Sequence, residues 1–190
     1  MTLKFIQDVK NGINSLLPDN NTGQITPAIL RGVLQDMTDS LYSRGASLFR
    51  SSATPVAQAL TTTPTNYPAI YDTLRALDPP VVAGSLVAGT VTPAVTGFAC
   101  SLTVSMTVDG AVNRIVTAQA AKNGVQIIAS RIITTCTGAG NKVSATITIP
   151  IIGVVASDVF TLLLSVDTGA SINVSQQVLS LAVNPTFSTI

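Results

Sequence analysis

The sequence predicts a mainly β protein: an N-terminal amphipathic helix followed by a C-terminal antiparallel β-sandwich of jelly-roll type. Three observations carry this. Apolar and hydroxyl residues alternate with a period of two in the second half of the chain. Cys100, Leu102, Val104, Met106 and Val108 fall on one side and Ser101, Thr103, Ser105 and Thr107 on the other, the pattern of a half-buried strand. Short runs rich in Gly, Asn and Asp separate these stretches and supply the positive backbone angles of tight turns. Charge is scarce there as well, with seven charged side chains from Val81 to Ile190 against twelve from Met1 to Pro80.

The change in charge density divides the chain into a helical anchor segment (1–50), a linker (51–80) and a β domain (81–190). In the anchor, Ser15 to Gly23 is turn-rich, and Thr26-Pro27 places a capping hydroxyl before a proline at the first helical position. Leu30, Val33, Leu34, Met37 and Leu41 then recur on one helical face, with Arg31, Gln35, Asp36 and Asp39 elsewhere on the wheel. Gly45 supplies the stop. A single helix of about 16 residues is marginal in water and cannot bury its own stripe, so it needs a partner. Two kinds are open: this chain's own β domain or a shorter helix over Leu3 to Leu17, and copies of itself or another protein. The expected anchor or assembly interface is Ile25, Pro27, Leu30, Val33, Leu34, Met37 and Leu41.

In the linker, Thr54-Pro55, Thr63-Pro64, Tyr67-Pro68 and Asp78-Pro79-Pro80 resist helix and central strand and favour extended chain. Ala69 to Leu77 allows one or two helical turns, with Ile70, Leu74 and Leu77 on one face.

Strands are expected over Cys100 to Val108, Val112 to Gln119, Gln126 to Thr134, Val143 to Ile149, Val159 to Val166 and Ser171 to Val183. Turns fall at Asp109-Gly110, Lys122-Asn123-Gly124, Thr137 to Asn141 and Asp167-Thr168-Gly169. Seven or eight short strands at this spacing make a sandwich or jelly roll. Its outer faces carry Thr, Ser, Asn and Ala where Lys and Glu would discourage edge pairing, so part of that surface is expected to be buried. Phe160 to Leu164 and Ile127-Ile128 are apolar on both faces, as where a sandwich also packs against neighbouring subunits. Phe98, Phe160, Leu162 and Leu164 are the candidates for oligomer packing.

Histidine, glutamate and tryptophan are absent, which removes the commonest general bases and metal ligands. Asp36 and Asp39 read as a solvated helix face, and Gly138-Ala139-Gly140-Asn141 is too short for a phosphate loop and has no helix after it. No enzyme activity, cofactor, metal or catalytic residue is expected. Ten Lys plus Arg against nine Asp give no basic field for nucleic acid. The longest apolar runs fall far short of the ~20 residues of a spanning helix, so no membrane partner is expected. Met1 to Asp8 lacks the pattern of a secretion signal, which points to assembly in the cytoplasm with Cys100 and Cys136 buried and reduced.

The stretch Leu17 to Leu41, with its Asn- and Gly-rich turn, Ile25-Thr26 and a helix ending Asp39-Ser40-Leu41, resembles the N-terminal segment of bacteriophage head-fibre, decoration and tail-appendage proteins. The second half is similar to jelly rolls of the tumour-necrosis-factor and complement-C1q type, through the Lys122-Asn123-Gly124 turn and Val154 to Phe160. The resemblance implies a homotrimer on the virion surface, held by a major capsid, portal or tail protein of the same virion. It implies a capsid decoration or head-fibre role. The alternative is a tail-fibre or baseplate protein that binds a host-surface receptor.

Overall fold

Strands form wherever the alternating pattern lets one face be buried. A computed structural model describes residues 44–77, 82–94 and 98–184. In chain order the strands are β1 (Arg44–Phe49), β2 (Val56–Leu60), β3 (Thr65–Asn66), β4 (Thr73–Leu77), β5 (Val82–Ser85), β6 (Thr90–Pro93) and β7 (Phe98–Gly110), then β8 (Ile115–Lys122), β9 (Val125–Gln126), β10 (Ile132–Thr135), β11 (Val143–Val154), β12 (Phe160–Val166) and β13 (Ala170–Asn184). The first sheet runs β11-β7-β13-β1-β4, with β2 also on β13. The second runs β10-β8-β12-β6-β5, with β3 on β12 and β9 on β8.

The two sheets bury their apolar faces against each other. Leu48, Leu102, Val104, Met106, Phe160, Leu162, Leu164, Leu179 and Leu181 have no measurable exposure. Each such side chain contributes roughly 1.5–3 kcal/mol through removal from water. The expected alternation of Cys100 to Val108 holds, with all five apolar members in the core.

On β13 the alternation changes phase. Ile172 and Val174 point inward, and so do Gln177, Leu179, Leu181 and Val183, leaving Ser175 and Gln176 together outside the core. The slip falls where β13 exchanges partners, from β2 (Val174 opposite Val56) to β1 (Val178 opposite Phe49). An extra residue of this kind is a β-bulge.

Several sequence expectations are corrected. Residues 51–80 are not a linker through their described part, since β2, β3 and β4 lie there. The prolines punctuate these strands: Pro55 precedes β2, Pro64 precedes β3, and Pro68 opens a 3-10 turn over Pro68–Ile70, positions where a missing N–H costs nothing. Beyond that single turn, Ala69 to Leu77 is not helical. Thr73–Leu77 pairs with β1, residue for residue from Phe49–Thr73 to Gly45–Leu77, and ladder pairing outweighs the weak helical periodicity. Gly45 lies inside β1 and ends no helix among the described residues. The strand expected at Val112 to Gln119 runs from Ile115 to Lys122, and that at Gln126 to Thr134 is broken by a 3-10 turn at Ile128–Ser130. The expected helix over Thr26 to Leu41 lies outside the described residues.

Both cysteines are buried and unpaired. Cys100 sits near the start of β7 and Cys136 beyond its other end, its backbone N–H donating to Arg114 O at 2.8 Å. At about 3.3 Å per strand residue they lie on the order of 30 Å apart, out of reach of a disulfide. Burial pushes the Cys100 thiol up to about 11. Burial also raises Cys136, helped by the negative charges of Asp109 and Asp167.

Both thiols are therefore expected to resist a thiol reagent such as DTNB in the folded protein and to titrate as two per chain after denaturation. Leu164→Ala is expected to lower stability by roughly 2–5 kcal/mol in urea melts; a loss under about 1 kcal/mol would contradict its core position.

Candidate assembly surfaces

The outer face of the first sheet is built from hydroxyls that satisfy one another. Three successive cross-strand pairs of β7 and β11, Thr103–Thr148, Ser105–Thr146 and Thr107–Ser144, are hydrogen-bonded at 2.8, 2.7 and 2.9 Å. Thr107 also donates to Gln176 Oε1 at 3.3 Å. Further along the sheet, Ser47 donates to Ser180 at 2.6 Å across β1 and β13. A hydroxyl that already has a protein partner loses less on leaving water than an unpaired one. The 13, 12 and 15 residues of β7, β11 and β13 include one charged side chain, Asp109. It lies at the strand end and accepts from Asn173 Nδ2 at 2.7 Å. This face is polar in composition yet inexpensive to bury.

β11 borders that face as an edge strand. The other sheet edges are short: β4 has five residues and carries Arg75, while β5 and β10 have four each. β11 has twelve residues and no charge. Short length, charge, proline and bulges protect an edge against further pairing; β11 has the last two only near its end, at Pro150 and the register shift between Ile151 and Val154, and Val143 to Ile149 carries none of them. Aliphatic residues flank it. Ile152 on β11 is 84% exposed, and Ile128 and Ile133, on elements packed beside β11, are 80% and 54% exposed.

A second surface lies at one end of the sandwich. Arg44 pairs with Val183 there, and the turns 122–125 and 152–159 share that end. Asn123 (φ 52°) and Gly124 (φ 80°) form the two-residue turn between β8 and β9, the left-handed pair that a tight hairpin requires. Lys122 Nζ lies 2.7 Å from Asp158 Oδ2 and donates to Gly153 O at 3.5 Å. Asp158 also accepts from Asn123 Nδ2 and Val155 N, both at 2.8 Å. Val159 N donates to Asn123 Oδ1 at 2.7 Å. Two loops far apart in sequence are thereby tied into one knot. Burial opposes ionisation of Asp158, but the bonds from Lys122, Val155 N–H and Asn123, with the Lys122 charge, prevail and hold its carboxyl below the usual range.

Phe160, Leu162 and Leu164, expected to pack against a neighbour, lie wholly inside this chain's own core. Burial on one side is supplied by the facing first sheet of the same chain, so subunit surfaces must be sought on the outer residues. Phe98 begins β7, and its side chain lies outside the described residues, as do Ile25, Pro27, Leu30, Val33, Leu34, Met37 and Leu41. The hydroxyl pairs and the β11 edge were not singled out in the sequence, although the Thr and Ser positions that form them were legible as a polar alternation. Among the described residues no group of three His, Cys, Asp or Glu side chains is arranged to hold a metal, and no helix is long and apolar enough to cross a membrane.

No family model matches the sequence and no curated protein matches it. Among solved structures, the fold is similar to Eiger TNF from S. frugiperda, with a TM-score of 0.50 at 10% identity over 77% of this chain and 99% of that one. Murine APRIL gives 0.45 at 10% identity, over 75% and 100%. PRD1 vertex protein P5 gives 0.40 at 15% identity, over 74% and 96%. The Eiger likeness places the sandwich among jelly rolls of the tumour-necrosis-factor type. At this identity it speaks for the fold alone, and the two lower scores add no argument.

Asp158 is ionised in the fold at lower pH than in the unfolded chain, where its value is about 3.9. Its stabilising contribution is complete above that value and is lost as pH falls through the folded value. Thermal melts from pH 7 to 2 should show a flatter acid limb for Asp158→Asn than for the wild type. Equal slopes would mean the knot contributes nothing.

Proposed function

We propose that this chain is a bacteriophage virion structural protein. In this reading it is a homotrimeric capsid decoration or head-fibre protein, held on the particle surface by its N-terminal segment and without enzyme activity. The observation that carries the assembly part is β11: a long, uncharged edge strand beside a hydroxyl-paired face, flanked by exposed Ile128, Ile133 and Ile152. A bare edge of this length invites pairing. An edge of one subunit set against the hydroxyl face of the next is a heterologous contact, and such contacts close into rings when the rotation permits. The tumour-necrosis-factor-like fold and the implied trimer agree with threefold closure.

The virion part rests on the resemblance of Leu17 to Leu41 to phage fibre and decoration proteins. The partner in this reading is a major capsid, portal or tail protein that receives the stripe Leu30, Val33, Leu34, Met37 and Leu41. Three weak anchors on one trimer raise overall avidity by orders of magnitude through effective concentration, so no single anchor needs to be strong.

Light scattering of the full chain should give about three times the 19.5 kDa chain mass. Thr148→Lys, which places a charge among the hydroxyl pairs, should reduce this to a single chain with the β circular-dichroism signal retained. A monomeric wild type would sink the trimer, and an unchanged Thr148→Lys oligomer would move the interface elsewhere. Peptides of this chain should also be found by mass spectrometry in purified particles and vanish when its coding sequence is deleted.

A further inference from the structure

The dipeptide Asn-Gly occurs twice in the sequence, each time after Lys and before a branched aliphatic residue: Lys10-Asn11-Gly12-Ile13 and Lys122-Asn123-Gly124-Val125. In Asn-Gly the backbone nitrogen of the glycine can attack the side-chain carbonyl carbon of the asparagine, because no side chain on the second residue stands in the way. At Gly124 the fold leaves the approach open as well. Nothing lies within 4 Å of the place a Cβ would occupy, and Asn123 is exposed to water. The local sequence makes the site reactive; the Lys122–Asp158 knot opposes the reaction.

Asn123 is held at three points. Its Nδ2 donates to Asp158 Oδ1 at 2.8 Å, its Oδ1 accepts from Val159 N at 2.7 Å, and its backbone N–H donates to Val159 O at 2.8 Å. The side-chain amide is thereby drawn across to the 152–159 loop. Both of its hydrogen bonds must break before Cγ can turn to the Gly124 nitrogen. Asp158, ionised beside Lys122 Nζ at 2.7 Å, has no proton to hand to a departing nitrogen.

We propose that Asn123 is a deamidation site that the knot keeps silent and that opens the knot once it has reacted. The Gly124 nitrogen, its proton taken by solvent base, forms a bond to Asn123 Cγ; the Cγ–Nδ2 bond breaks, and ammonia leaves with a proton from water. One water molecule then opens the succinimide to aspartate or isoaspartate, with no change in oxidation state. An anionic oxygen now replaces the Nδ2 donor that faced Asp158. Two carboxylates compete for Lys122 where a hydrogen bond stood, and like charges this close disfavour each other. Isoaspartate also lengthens the backbone of a two-residue turn by a methylene. The switch runs one way, and it needs neither the trimer nor the virion reading.

The test uses the full chain in mildly alkaline buffer, native and in guanidinium chloride, with peptide mass spectrometry reading the one-dalton gain at Asn123. Asn11, in a near-identical tetrapeptide, reacts beside it in guanidinium and calibrates the intrinsic rate. Native Asn123 is expected to react at least about tenfold more slowly than in guanidinium, as two hydrogen bonds to be broken imply. Asp158→Ala, its fold confirmed by circular dichroism, is expected to recover most of that factor. A native rate equal to the guanidinium rate overturns the protection. So does a folded Asp158→Ala that stays as slow as wild type, since the backbone of the turn alone would then hold the site. Asn123→Asp installs the product directly and decides if Asp158→Ala does not fold. Its melting midpoint is expected below that of wild type at neutral pH and to approach it as pH falls through the carboxylate range, about 4. An equal midpoint at neutral pH overturns the opening of the knot.

Discussion

Along one side of β11, alternate residues present backbone N–H and C=O groups that no further strand among the described residues receives. Backbone groups of this kind are strong, obligatory hydrogen-bonding partners, and a sheet edge is a template for more strand or for another surface. The rest of the molecule is consistent with that edge being covered. Its own side chains offer no charge to repel a neighbour, and the adjoining face offers hydroxyls already paired across β7 and β11. The elements packed beside it expose isoleucine. Each feature alone is ordinary; their coincidence on one border of one sheet is not, because the other edges are short and one of them carries Arg75.

The same logic explains how a chain with only 10% charged residues builds a β fold whose described strands hold one Lys, Lys122 at the end of β8, and no Glu. Thr and Ser have high or tolerable strand propensity and can satisfy one another at the ~5 Å spacing of directly opposed residues. The hydroxyl pairs therefore serve two ends. They tie β7 to β11 on the outer face, and they lower the cost of covering that face. Lysine in those positions would have kept the edge solvated.

Much of the sandwich was legible in the sequence, and the failures have physical causes. Cys100 to Val108, Val143 to Ile149 and Phe160 to Val166 alternate strongly enough that their local pattern and their place in the sheets coincide. The first six strands were not named from the sequence because their signal is not local. Val56–Leu60 and Thr73–Leu77 are short, lie among prolines, and become strands only because β13 and β1 offer them a ladder. Distance in sequence hides that offer. Phe160, Leu162 and Leu164 looked like subunit contacts because their strand is apolar on both faces; they sit in the core because β12 is central, flanked by β8 and β6, a placement that periodicity cannot supply. The phase change on β13 was readable in principle, since Ile172 and Val174 stand out of step with Leu179 and Leu181, but nothing local says whether such a slip is a bulge or a break.

The pairing of β1 with both β13 and β4 also sets the polarity of the domain. Because β1 runs from Arg44 toward Phe49 in the middle of a sheet, the preceding sequence is delivered at the end where the Lys122–Asp158 knot lies, and the loops at the opposite end receive most of the remaining charge. Arg50 and Asp72 stand 3.8 Å apart there. The Asp72 carboxyl is held well below its usual range, first by the Ser51 backbone N–H and further by Thr73, Ser52 and the Ser51 hydroxyl, against the opposing effect of burial. Ionised groups of this kind favour water, while exposed Val125, Ile152 and Val155 favour leaving it.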